Sequence, residues 1–184
     1  PNLGLVTYNG NKNNNLVDLN QGSHHVQACV VFYEPEDAAR PFKMIFECDK
    51  YDKKFAGAYS QDGITWQEYP NPVGYWFEMA GGTRFNDCYY LTGQGGNHGR
   101  LRQLVTYVSY DFEHWAEASC MGLRRHNIPP RPIISGSSAG EQVHLGAALW
   151  NRGNVILGFY GMWHGHPSND RRLLTMDLGL AVTN

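Results

Sequence analysis

The chain is a succession of short apolar or alternating runs separated by polar turns, and any helix in it is a single turn. From His25, HVQACVVFY is followed by PFKMIFE, KFAGAYS and TWQEY. These read as four short strands within about 45 residues. A second series reads EMAGGTRFN, CYYLTGQ, RQLVTYVS and HWAEAS. A third reads VHLGAALWN, NVILGFYGMWH and LLTMDLGLAVT, with no fourth strand after it. Four antiparallel strands in a unit repeated at about 50 residues form the pattern of a β-propeller blade. The expected fold is therefore all-β, a β-propeller of four-stranded antiparallel blades, about three of them visible.

One turn is spelled twice. Ser60, Asp62 and Trp66 recur as Ser109, Asp111 and Trp115. A Ser or Asp at a turn can hydrogen-bond its own backbone, and Gly63 can take a positive φ at little cost. The motif is expected to close the hairpin between the third and fourth strands, with the Trp packing between neighbouring blades. One partial propeller domain is expected over 1–184. Residues 1–20, including LGLVTY, would end an earlier blade, with 9–15 as a polar loop. Blades follow at 24–69 and 76–118, and an incomplete blade at 141–184. The stretch 119–140, with NIPPRP and SGSSAG, would cross between the last two. A chain that starts at Pro1 and stops within GLAVTN is expected to be a fragment.

Composition narrows the function classes. Fifteen basic and 17 acidic residues give a net charge of −2, which predicts no footprint for nucleic acid or an anionic membrane. No run of 18 apolar residues predicts a transmembrane helix. Aromatics at 13% and 21 glycines suit strands and tight turns. Cys29, Cys48, Cys88 and Cys120 form no C-x-x-C pair, so buried thiols are expected rather than a zinc or redox motif.

The inner strand of each blade lines the channel of a propeller. His25, Glu78 and His144 fall at equivalent starts of first strands, and converging polar groups there would make a site. Glu78 is bracketed by Tyr75, Trp76 and Phe77 and by Met79 to Gly82. Desolvation would raise its pKa and suit it to donate a proton. The structural alternatives are surface loop residues for His24 and His25 and a hydrogen-bonded core histidine for His144. Glu47 and Glu141 do not share the register, and Asp87 reads as a hairpin turn residue. Trp76, Tyr160, Trp163, His164 and His166 could stack on or contact a sugar, against the commoner use of a propeller Trp in packing between blades. NDRR, Asn169 to Arg172, reads as a polar loop in which an Arg could bind an anion. His25, His144 and Glu78 are metal-ligand types, but they form no close ligand pair, so no metal or cofactor is expected. There is no G-x-S-x-G elbow and no phosphate loop.

The segments NLGLVTYNGNKNNNLV, RPFKMIF, AYSQDGITW, YYLTGQ and LWNRGNVILGFYGMWHG resemble the five-bladed propellers related to glycoside hydrolase family 32, with families 43 and 68 as wider kin. The resemblance covers most of the chain. It implies three acids in a central funnel: an Asp from the first blade as nucleophile or base, an Asp in the second, usually within Arg-Asp-Pro, that stabilises the transition state, and a Glu in the third as the acid. YWFEMAGGTRFNDCYYL matches the acid-bearing segment, with Glu78 at the acid. His24-His25 stands where Arg-Asp belongs, and the first-blade Asp would lie upstream of Pro1. EQVHLGAALWNRGNVILGFYGMW is similar to the fourth-blade segment, which contacts substrate.

The resemblance thus implies a glycosidase that hydrolyses O-glycosidic bonds of an oligosaccharide or glycoside. Glu78 would be catalytic, and His24, His25, Trp76, His144, Trp163 and His164 would bind substrate. The fragment is expected to be inactive alone, since glycoside hydrolysis needs two carboxylates. The alternative is a non-catalytic carbohydrate-binding propeller, favoured by the missing second-blade Asp. A sialidase-like propeller ranks third, because its turn motif is one residue longer than SQDGITW and it needs several converging arginines. By analogy, a saccharide-active propeller is often exported, which points to a secreted or periplasmic protein.

Overall fold

A computed structural model describes residues 3–19, 24–51, 54–70, 77–95, 102–118, 141–166, 168 and 170–183, with backbone only at 141, 142 and 145. The chain divides into two compact units, Pro1–Val73 and Gly74–Asn184.

The first unit is one antiparallel sheet in the order β1 (Val26–Tyr33), β2 (Phe42–Cys48), β3 (Phe55–Ser60), β4 (Gln67–Glu68). β2 and β3 are apolar almost throughout, as suits central strands covered on both faces. Met44, Phe46, Cys48, Ala56 and Ala58 form a buried cluster, with Val26, Tyr51 and Trp66 packed against it. The loop after β1 is tied down by Lys43, a buried ammonium that meets Glu34 and lies 3.0 Å from Asp37. A charge this deep persists only when paired. Residues 3–8, expected to end an earlier blade, contribute only an isolated bridge between Tyr8 and Asn11. Asn9 and Gly10 both have positive φ between them, the geometry of a type I′ turn.

The second unit holds two sheets. One runs β5 (Glu78–Phe85), β6 (Cys88–Gly95), β7 (Gln103–Ser109), β8 (Ala116–Glu117). The other pairs β9 (Glu141–Asn151) with β10 (Ile156–His164) and β10 with β11 (Thr175–Thr183). Asn86 and Asp87, both at positive φ, make the β5–β6 turn expected for Asp87. β9 lies against β5, β6 and β7. The approach is backbone to backbone: a Cβ on Gly146, whose φ is +65°, would sit 2.4 Å from the Gly93 Cα. The Thr92 hydroxyl donates to the Ala147 carbonyl, and Asn151 Nδ2 donates to the Arg84 carbonyl at 2.6 Å.

These are the antiparallel sheets of propeller blades. The eleven expected strands are all present, and the stretch 119–140 lies outside the described residues. Each inner strand also carries a bulge that the periodicity does not announce, between Gln27 and Val30, between Met79 and Gly81, and opposite Tyr160 and Gly161.

The repeated turn closes β3–β4 and β7–β8 as expected. The Ser60 hydroxyl accepts from Gly63 N at 2.9 Å, and Asp62 Oδ1 accepts from Ile64 N and Thr65 N at 2.8 and 2.7 Å. Ser109 and Asp111 repeat this with Phe112, Glu113 and His114. Phe112 holds a φ of +69° where the first copy has Gly63 at +75°. Its fully buried ring packs edge-on against Tyr89 and Trp115, which offsets a left-handed cost of about 1–2 kcal/mol. Trp66 packs against the buried cluster of its own sheet, and Trp115 lies against Tyr89 and Phe112 of its own.

Two outcomes follow. Gly146→Ala should lose about 2 kcal/mol or more, from the left-handed backbone and the contact with Gly93, and lower Tm by several degrees in a thermal melt. The backbone donors hold Asp62 at a pKa of about 2, against about 3.9 in an unfolded chain. Its contribution to stability is therefore full above pH 4 and is lost as pH falls through about 2. Asp62→Ala should melt earlier than the parent at pH 7, and the two should converge in acid.

Candidate functional site

Glu78 and His144 share one neighbourhood in the second unit. Glu78 opens β5 and stands opposite Gln94 of β6. Gln94 is buried and donates its Nε2 to Glu78 Oε2. Glu78 itself is half-buried. Its Oε1 has no hydrogen-bond partner among the described residues.

His144 of β9 lies just before the bulge, opposite Gly161. Its ring stacks on Trp163, centroids 3.9 Å apart and planes 26° apart. Arg102, at the entry to β7, donates Nη1 to His144 Nδ1 at 3.1 Å. A guanidinium can only donate, so Nδ1 is unprotonated and Nε2 carries the ring proton. Burial pushes the His144 pKa down, the Arg102 and Arg171 charges add to this, and Glu78 opposes it. The imidazole is therefore neutral at pH 7. Arg102 Cζ lies 5.1 Å from the Trp163 ring centroid, and Arg171 Cζ, from a 3-10 turn at Arg171–Leu173, lies 5.9 Å from it. Trp163 is thus a buried platform beneath a neutral imidazole and two guanidinium groups.

His164, next along β10, is buried and hydrogen-bonds Asp177 of β11 through Nε2 at 2.8 Å. His166 bonds the Ser168 hydroxyl, and Tyr160 is half-buried. Trp76 and the Glu141 side chain lie outside the described residues.

In the first unit His24 and His25 are exposed, and both are held by Asp49, which follows β2. Asp49 Oδ1 lies 3.0 Å from His24 Nδ1 and accepts from the His25 backbone N–H at 3.0 Å. His25 Nε2 donates to Gln27 Oε1 at 3.1 Å, and Gln27 Nε2 donates to Glu47 Oε2 at 2.9 Å. A Gln–Glu pair thus recurs across strands one and two of both four-stranded sheets, with the residues exchanged. Glu47 on the second strand is buried, whereas Glu78 on the inner strand reaches partly into solvent. His24 also lines a concavity of about 450 Å³ with Val17, Leu19, Val26, Met44 and Trp66.

Gln94, Arg102 and Asp49 were not singled out by their sequence positions. NDRR did flag an arginine at the right place, and Arg172 of the same motif is taken by Asp170 at 2.7 Å.

Neither a protein-family model nor a curated protein matches the chain. Among solved structures it is similar to a point mutant of the GH32 β-fructofuranosidase of Bombyx mori in complex with sucrose. That match has a TM-score of 0.51 at 11% identity, over 85% of this chain and 32% of that one. A second structure of the same enzyme gives 0.45 at 16% identity, over 77% and 31%. The chain spans about a third of the length of these structures. It shares the β-propeller fold of the GH32 enzyme.

The imidazole offers a direct check. In a histidine NMR titration of the intact chain, His144 should titrate below the usual value of about 6.5, and Arg102→Gln should move its midpoint up. Because the folded pKa is the lower one, His144 favours folding fully above pH 6.5, and that contribution falls as pH drops toward the folded midpoint.

Proposed function

We propose that the chain is part of a saccharide-acting propeller of the glycoside hydrolase type, with Glu78 as its general acid. The observation that carries this reading is the Glu78 carboxyl itself. Gln94 engages one oxygen and fixes the rotamer, while the other has no protein partner among the described residues. A proton on Oε1 would be poised for a glycosidic oxygen, as general acid catalysis of leaving-group departure requires. A neutral His144 beside it adds a donor in Nε2–H for a sugar hydroxyl. The shared fold with a GH32 enzyme supports the class of ligand. His24, His25, Trp76, Trp163 and His164 keep their proposed substrate-contact roles.

Two carboxyl groups roughly 5–10 Å apart are needed for either stereochemical course. Among the described residues of the second unit, Glu78 is the one acid whose charge reaches His144. The 184-residue chain by itself is therefore proposed not to turn over glycosides. A non-catalytic, carbohydrate-binding propeller is the second reading, favoured by His24-His25 where an Arg-Asp pair belongs.

The test joins turnover and binding. In an active protein that contains this chain, Glu78→Gln should cut kcat by about 10²-fold or more while leaving saccharide affinity within a few-fold. Unchanged turnover removes Glu78 from the acid role. Calorimetric binding of a saccharide with no turnover in any such protein selects the binding reading.

A further inference from the structure

We propose that the ligand of this site carries a carboxylate, as a uronic-acid saccharide does, and that Arg102 and Arg171 recognise it. The inference rests on the saccharide reading above and names the substrate class within it. Arg40, Arg84 and Arg172 each lie beside an aspartate, Asp37, Asp87 and Asp170. Arg102 and Arg171 have no carboxylate partner among the described residues, although both stand within 6 Å of one buried indole. Arg102 gives one N–H to a neutral ring nitrogen, so the rest of its donor fork and the whole of Arg171's are uncommitted to any anion among the described residues. The nearby acid, Glu78, accepts from Gln94 through Oε2 and forms no ion pair with either arginine among the described residues.

Two permanent cations gathered over one ring repel each other, and a bridging anion relieves this. A carboxylate suits the planar fork of a guanidinium in two-point contact. Trp163 and His144 hold Arg102 in place, so little side-chain freedom is lost when the anion binds. A pyranuronate carries its carboxylate on C5 and its glycosidic bond at C1. One sugar can thus present its charge to the arginines and its glycosidic oxygen to Glu78. Beyond the NDRR arginine that could bind an anion, the sequence does not suggest this pair, because Arg102 and Arg171 are 69 positions apart and come together only at Trp163.

The chain is titrated calorimetrically with oligosaccharides of galacturonate, glucuronate and mannuronate, with the methyl ester of each, and with inorganic phosphate. Methyl esterification keeps the sugar and removes only the charge. A uronate should bind at least about tenfold more tightly than its ester, the scale of a charge-assisted hydrogen bond. Arg171→Gln, at an exposed position, should cut that difference several-fold without altering Tm. Arg102→Lys should keep part of it. If esters or neutral sugars bind as tightly as uronates, or Arg171→Gln changes nothing, the anion inference falls and the saccharide reading stands. If phosphate alone binds, the saccharide reading falls and the uronate inference with it. If nothing binds, both fall.

Discussion

The second unit depends on one close contact, the backbone of Gly146 against the backbone of Gly93. With no Cβ at Gly146, β9 can lie close on β6 instead of riding over a side chain. Gly81 makes the same allowance against β9, where a Cβ would meet Leu149 N at 2.9 Å. The contact is then locked by polar groups, Thr92 to Ala147 and Asn151 to Arg84. Its consequence is electrostatic. Two strands that approach this closely bring Glu78, at the head of β5, and His144 of β9 into range of each other and of Arg102.

The bulges turn that proximity into a site. An extra residue in one strand re-aims the side chains before it. In a straight hairpin counted from the Asn86-Asp87 turn, Glu78 would face Gly95. The bulge at Ala80 places it opposite Gln94 instead, whose amide can hold a carboxyl. Counted from Asn151 and Ile156, His144 would face Trp163. The bulge places it opposite Gly161, where the missing side chain lets the imidazole lean onto the indole. In the first unit the same Gln–Glu chemistry is set the other way round, and the acid is buried. Which strand carries the glutamate decides whether it is a structural acceptor or a group that can meet a ligand.

The repeated turn belongs to a different level. Its hydrogen bonds span two or three residues, and they lower the pKa of Asp62 and Asp111 by gathering backbone donors around each carboxylate. Such a motif works wherever it is placed, which is why it reads clearly in the chain. It closes hairpins and adds nothing to the cluster around Trp163.

The strands, their grouping into sheets, the Ser-x-Asp turns and Glu78 at the head of β5 were legible in the sequence, because alternation and turn chemistry act over a few residues. Glu78 and His144 were legible as first-strand residues for the same reason, whereas His25 lies just before β1. The partners were not. Gln94 is set by a bulge, Arg102 and Arg171 by the packing of one sheet on another, and Asp49 by a 3-10 turn that returns to His24 and His25. Trp163 read as a ring that could stack on a sugar or pack between blades; it is buried, stacked on His144 and within 6 Å of the Arg102 and Arg171 guanidinium groups. The sequence by itself determined the local periods and turns. The tertiary structure alone decided which polar groups share a desolvated space, because that depends on register and on the distance between backbones.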